Sequence, residues 1–245
     1  MPPFSSLPDN MFIPQNLPSI VAVEEMRLEP GMIVLDMCAS PGGKSSHIGA
    51  LLKDSGLLLA IDRNNKKVAK LASTLKRLGI TCARPIVFDS TQLSHNDELL
   101  DAVDPEDFYG LAGQRIKSDS FDRILLDPPC SGIGQRPILS SDSLKHYKND
   151  YASYQLRLLK TAFQLLRPGG ILVYSTCTLS PKENEEIVGH ALNYFDVELV
   201  LPKFNMGAHG LKLSAPQYPN HYVRRFWPSG PNDSIAFFYA VFRKN

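Results

Sequence analysis

Short apolar runs that end on an acidic residue recur along the chain, and amphipathic stretches separate them. "MIVLDM" (32–37), "LLLAID" (57–62), "RPIVFD" (84–89) and "FDRILLD" (121–127) are such runs. Their length and lack of polar alternation predict strands covered on both faces. "ILVYST" (171–176), "VELVL" (197–201) and "SIAFFYAVF" (234–242) predict three more. Between them, apolar residues recur at helical spacing: Ile48, Leu51 and Leu52; then Val68, Leu71, Ala72, Leu75 and Leu78, ended by Gly79. Tyr151, Tyr154, Leu158, Ala162, Phe163 and Leu166 mark a longer helix, stopped by Pro168-Gly169-Gly170. "SPKE" (180–183) predicts a helix start with Ser as cap, Pro first and Glu third, and Ile187, Val188, Ala191 and Leu192 then face the core. Residues 94–120 and 203–233 read as surface loops.

Strands alternating with helices predict an α/β protein with a mostly parallel, doubly wound sheet. Ligands in such sheets sit beyond the carboxyl ends of the strands. Those ends carry Asp36, Asp62, Asp89 and Asp127, and Cys177 lies just past the fifth strand. One rim is therefore expected to collect four acids and a thiol.

"DMCASPGGKSS" (36–46) follows the first strand and comes close to a phosphate-binding loop, G-x-x-x-x-G-K-[ST]. Cys38 stands where the leading Gly belongs, and Asp127 would pass for the magnesium acid of a nucleotide hydrolase. Three acids at the first three strand ends oppose that reading, because carboxylates repel a triphosphate. They suit S-adenosylmethionine, which has a ribose diol, an adenine amine and a positive sulfonium but no phosphate. Asp62, 26 residues after Asp36, sits where a ribose-binding acid belongs, and Asp89 could accept from the adenine amine. Taken alone, each acid would read as a turn cap and "PGGK" as a turn; together and in order they define a cofactor rim.

Two of the cysteines add a reaction. "LDPPCSGIG" (126–134) places Cys130 after the fourth strand, and "YSTCTLS" (174–180) places Cys177 after the fifth. Enzymes that methylate exocyclic base amines carry an aromatic residue after the paired prolines; here the position is Cys130. A thiol at this rim suits methylation of a pyrimidine at carbon 5. Addition of a thiolate to carbon 6 makes an enamine that is nucleophilic at carbon 5, and Asp127 near the ring nitrogen would stabilise the adduct. Cys82 reads as an ordinary buried thiol.

Composition changes this picture little. The chain has 245 residues, 43% hydrophobic, with a formal net charge of +1, so no global charge calls for a polyanion. Four cysteines without a CxxC, no apolar run of membrane length and no signal pattern point to a reduced, cytoplasmic or nuclear protein. No metal is expected, and a monomer is.

The segments "DMCASPGGKSSHIGALL", "ILLDPPCSGIGQRP" and "LLRPGGILVYSTCTLSPKENEEIV" resemble the Sun-domain RNA cytosine-5 methyltransferases. "QNLPSI" and "GQRP" are most similar to the sixth animal member of that family. The likeness runs from about residue 12 to 201 plus the last strand, leaving 1–11 as an unmatched tail ahead of a catalytic domain over 12–245. The resemblance implies a class I, Rossmann-like methyltransferase fold with a seven-stranded sheet whose last strand is antiparallel. It implies Cys177 as nucleophile and Cys130 in enzyme release. It carries cofactor contacts onto Cys38, Ala39, Ser40, Pro41, Gly42, Gly43, Lys44, Asp62, Asp89 and Asp127, with Lys44 also bordering the active site. The sixth member carries a PUA domain ahead of the cofactor loop and modifies a cytosine near the 3′ end of certain transfer RNAs. No such module is matched here, and Pro128 replaces a common Ala.

RNA, transfer RNA by this resemblance, is therefore the expected partner. "LKHYKNDYASYQLRLLK" (144–160) and "HYVRRFW" (221–227) mix basic and aromatic residues as single-stranded RNA sites do. They offer Lys145, Lys148, Arg224 and Arg225; Arg136, near Cys130, is a candidate contact to a flipped nucleotide. The plainer readings are a solvated helix face and a loop anchored by Trp227. Two alternatives stay open: an exocyclic-amine methyltransferase, and a weak or inactive binding or regulatory fragment.

Overall fold

The computed structural model describes residues 12–95, 118–135, 150–229 and 234–245. An N-terminal helix α1 (Leu17–Glu24) leads into β1 (Ile33–Asp36), α2 (Gly43–Leu51), β2 (Leu57–Asp62), α3 (Asn65–Arg77) and β3 (Ala83–Val87). After β4 (Phe121–Leu126) come α4 (Tyr151–Leu165), β5 (Leu166–Thr176), α5 (Glu185–Tyr194) and β6 (Val197–Leu199). Two further strands, β7 (Ala208–His209) and β8 (Val223–Phe226), precede the last, β9 (Phe237–Lys244).

The strands form one sheet in the order β3-β2-β1-β4-β5-β9-β8-β7, with β6 also paired to β9. β1 to β5 run parallel, and β9 inserts antiparallel against β5, from Ile171 opposite Arg243 to Thr176 opposite Phe238. Side chains alternate between the two faces as strand geometry requires. Leu35, Leu59 and Ile61 pack with Leu158, Ala162 and Ile187 of α4 and α5. Val34, Leu58 and Ala60 pack with Val21, Ile48 and Leu71 of α1, α2 and α3. Both faces are covered, which is why the strands read as unbroken apolar runs.

Three expectations are corrected. The sheet has nine strands among the described residues, not seven, because the 203–233 segment contributes β7 and β8. β9 makes this possible by dividing its outer edge: Phe242 to Lys244 pair with β6, while Phe237 to Ala240 pair with β8. Second, β5 begins at Leu166, not at 171; Pro168-Gly169-Gly170 ends the helix but is taken into the strand beside an irregularity against β4. Third, "SPKE" is one tight 3-10 turn (Pro181–Glu183), Ser180 makes no side-chain cap, and α5 starts two residues later.

Candidate active site

The loop after β1 is built on Asp36. This carboxylate is buried, accepts from Ser45 Oγ at 2.7 Å and is 3.4 Å from the Cys38 N–H. It points beneath the loop, so the rim loses one of its expected acids. Burial raises its pKa to about 6, against the opposing Ser45 bond and Lys44 charge. Ala39 N–H donates to Ile61 O at 2.8 Å, which ties the loop to β2, and Ser40 Oγ donates to Lys67 O at 3.1 Å. Gly42 has φ +105°, and a Cβ there would lie 3.0 Å from Leu71 of α3. Its glycine is thus demanded by the turn and by α3 as much as by any ligand. Gly43 opens α2, while Cys38 is half-buried and Pro41 exposed. Burial and the Asp36 charge push the Cys38 thiol up, so it stays a neutral thiol.

Lys44 reaches across to β4. Its Nζ lies 2.6 Å from Asp127 Oδ2, and Ser175 Oγ donates to Asp127 Oδ1 at 2.9 Å. Burial lowers the Lys44 pKa, but the charge and hydrogen bond of Asp127 outweigh it and hold the ammonium above its ordinary value. Asp127 is therefore half of an ion pair, not a free acid. This arrangement removes the resemblance to a phosphate loop: the lysine is neutralised and the supposed magnesium acid is occupied. Asp62 Oδ1 accepts from Asn64 N–H at 3.0 Å, and Asp89 Oδ1 accepts from Thr91 N–H at 3.0 Å and Thr91 Oγ1 at 2.8 Å. Each acid is thus oriented by the turn that follows it. Two oriented carboxylates at adjacent strand ends, with the nearby lysine already paired, fit the diol, amine and sulfonium of S-adenosylmethionine and do not fit a triphosphate.

The loops after β4 and β5 bring the two thiols together, with Cys130 Sγ 3.3 Å from Cys177 Sγ. The hydrogen bond from Cys130 lowers the Cys177 pKa; burial and Asp127 oppose this, and Gln135 and Lys44 support it. The same bond, with burial, pushes the Cys130 thiol up. These directions favour ionisation of Cys177 ahead of Cys130, with Cys130 as the S–H donor of the pair. Cys82 is buried, and burial with Asp54 pushes its thiol up to about 12, as suits an inert structural cysteine.

Two successive buried polar residues, Glu183 and Asn184, hold this geometry and were not legible as site residues. Glu183 accepts from Ser131 N–H at 3.0 Å, Ser131 Oγ at 2.6 Å and Gln155 Nε2 at 3.0 Å, which fixes the Cys130 loop. Asn184 accepts from Thr176 Oγ1 at 2.6 Å and donates to Thr178 O at 3.0 Å, which fixes the residues on either side of Cys177. Gln155 of α4 also donates to Pro129 O at 3.0 Å. One signal was available: in the helix that "SPKE" predicts, Glu183 and Asn184 precede Ile187 and Val188 by four and would fall on its apolar stripe.

Two of the RNA candidates are corrected. Arg224 and Arg225 are 5% and 1% exposed in β8, inside the sheet. Arg225 is ion-paired to buried Glu185, with Nε 2.7 Å from Oε1, and donates to Leu179 O at 3.1 Å. Arg224 Nη2 donates to Asn205 Oδ1 at 3.1 Å. Arg136, Lys145 and Lys148 lie outside the described residues. Among the described residues, no cluster of His, Cys, Asp and Glu could hold a metal, and no helix is long and apolar enough to cross a membrane.

Five parallel strands with β9 antiparallel beside β5, a glycine-bearing loop after β1, an acid ending β2 and another just past β3 are the arrangement of a class I methyltransferase. The 16S rRNA methyltransferase RsmB/F profile matches residues 24–243, and the chain belongs to that family. It is similar to human tRNA (cytosine(72)-C(5))-methyltransferase NSUN6, at 39% identity over 93% of this chain and 47% of that protein. The mouse counterpart is 43% identical over 77% of this chain and 38% of its own length. The crystal structure of NSun6 from Pyrococcus horikoshii with SFG superposes with a TM-score of 0.76 at 30% identity, covering all of this chain and 56% of that one. The chain thus spans about half the length, or less, of these relatives.

Proposed function

We propose that this chain is the catalytic domain of an S-adenosylmethionine-dependent RNA methyltransferase that forms 5-methylcytosine, with transfer RNA as substrate. The observation that carries the reading is the pair of thiols 3.3 Å apart beside the Lys44–Asp127 ion pair. The names of the similar proteins, which act on cytosine in tRNA or rRNA, support it.

S-adenosylmethionine supplies an electrophilic methyl group. Asp62 would accept from its ribose hydroxyls and Asp89 from its adenine amine, and residues 38–44 would offer it backbone groups. The Cys177 thiolate adds to carbon 6 of the cytosine ring. Negative charge that develops on the ring nitrogen meets the Lys44 ammonium, which Asp127 aims and keeps protonated. Once the Cys177 sulfur is bonded to carbon it no longer holds the Cys130 proton in a shared bond. After carbon 5 has taken the methyl group, Cys130 is free to ionise and to take the proton from carbon 5; that electron pair re-forms the ring double bond and the Cys177 thiolate leaves.

The reading is tested by incubating the purified chain with labelled S-adenosylmethionine and transfer RNA at high concentration, then analysing nucleosides by mass spectrometry. 5-Methylcytosine that disappears with Cys177→Ala is expected. A methylated exocyclic amine, or cofactor binding without any methylated nucleoside, overturns it.

A further inference from the structure

Gln135 lies in the turn that follows Cys130, and its side-chain Nε2 is 3.2 Å from Cys177 Sγ. Three backbone bonds fix its position. Gln135 N–H closes the turn on Gly132 O at 3.0 Å. Gly134 N–H donates to Cys177 O at 3.1 Å, and Gly134 O accepts from Ala236 N–H at 2.9 Å. Gly134 is thereby stitched between the Cys177 peptide and the segment entering β9. No side chain fits there, since a Cβ would come within 2.5 Å of Ala236 Cβ and 2.8 Å of Cys177 O. The carbonyl of Cys177 and the residue after Gly134 are locked in one register, so the Gln135 amide is delivered to the sulfur by backbone even though its own side chain is exposed.

We infer that Gln135 is a further catalytic residue, a fixed hydrogen-bond donor that stabilises the thiolate of Cys177 both before attack and as it leaves. Two donors reach that sulfur, and their chemistry differs. Cys130 can lose its proton, and the proposed release step uses that ability. An amide cannot, so Gln135 holds the anion at each stage whatever the state of Cys130. Its contribution agrees in direction with the lowered Cys177 pKa. A carboxylate at this position would act the other way, placing a negative charge beside the anion it must stabilise.

The inference rests on Cys177 being the attacking thiol, and its test is independent of RNA so that the two can fail separately. The chain, Gln135→Met and Gln135→Glu are treated with iodoacetamide between pH 6 and 10. The Cys177 thiolate displaces iodide to form a thioether, and digestion with mass spectrometry reads the rate at each cysteine peptide. The midpoint for Cys177 should rise by about one pH unit in Gln135→Met, equivalent to roughly tenfold slower labelling at neutral pH, and further in Gln135→Glu. Gln135→Asn should fall between Met and the native residue. Thermal midpoints on the same samples report folding. A Cys177 midpoint identical in all variants overturns the inference, as does a parallel shift at the Cys38 and Cys82 peptides.

Discussion

Glu183 grips Ser131 twice, with Oε1 2.6 Å from its hydroxyl and Oε2 3.0 Å from its N–H, although the two residues are 52 positions apart. The contact joins the turn ahead of α5 to the loop that carries Cys130. Glu183→Ala should leave the Ser131 N–H and the Gln155 amide without their buried acceptor, at about 1–3 kcal/mol for each unsatisfied group. The expected loss is about 3 kcal/mol, or a fall of roughly 6–12 °C in Tm for a chain of this size. Glu183→Gln should lose less, because an amide oxygen remains. Thermal and urea unfolding check this, and equal stability of all three would show that the clamp is unimportant.

Arg225 is a structural residue. Removing one partner of a buried ion pair leaves the other charge uncompensated, which costs about 3–5 kcal/mol. Arg225→Met should therefore destabilise strongly, while Arg225→Met combined with Glu185→Leu should recover much of the loss. Urea unfolding of the single and double variants reads the difference. A mild single variant with weakened RNA binding would return Arg225 to the RNA surface.

Asp36 gives the stability a definite pH dependence. Its folded pKa is raised from 3.8 to about 6, so the folded protein prefers the protonated form. That preference stabilises the fold below about pH 4 and is lost as pH rises through about 6. Two units correspond to about 3 kcal/mol. Asp36→Asn should flatten the stability profile between these pH values, as measured by urea midpoints at closely spaced pH. An unchanged slope would show that Asp36 is ionised in the fold.

The two thiols should separate by phenotype. Cys177→Ala should abolish methylation and leave cofactor binding intact. Cys130→Ala should allow attack and transfer but stall release, trapping protein on RNA as a slow band in denaturing gels. The band should vanish when Cys177→Ala is added. A band from Cys177→Ala in place of Cys130→Ala would reverse the roles.

Asp62→Ala should weaken S-adenosylmethionine binding, since a hydrogen bond to a charged group contributes about 1.5–3 kcal/mol, roughly 10- to 150-fold in Kd. Calorimetry on the folded variant decides it, and an unchanged Kd removes Asp62 from the ribose.

The sequence by itself determined the layered α/β fold, the rim and the meeting of the two cysteine loops. Apolar runs such as "LLLAID" report burial directly, and parallel topology sends every strand's carboxyl end to one side. What lay beyond it was the fate of individual polar residues. Asp36 and Asp62 both follow apolar runs, yet one turns under its loop to Ser45 and the other stays oriented at the rim. "VRRF" has the composition of a basic loop, but β9 offers a free edge that makes it a strand, and Glu185 supplies the charge that allows Arg225 inside. Glu183 looks like a helix cap until Ser131 and Gln155 arrive from distant elements. A hydrophobic side chain is buried by any apolar neighbour, so its pattern is local. A polar side chain is buried by specific partners, and only the tertiary structure decides which of them come within 3 Å.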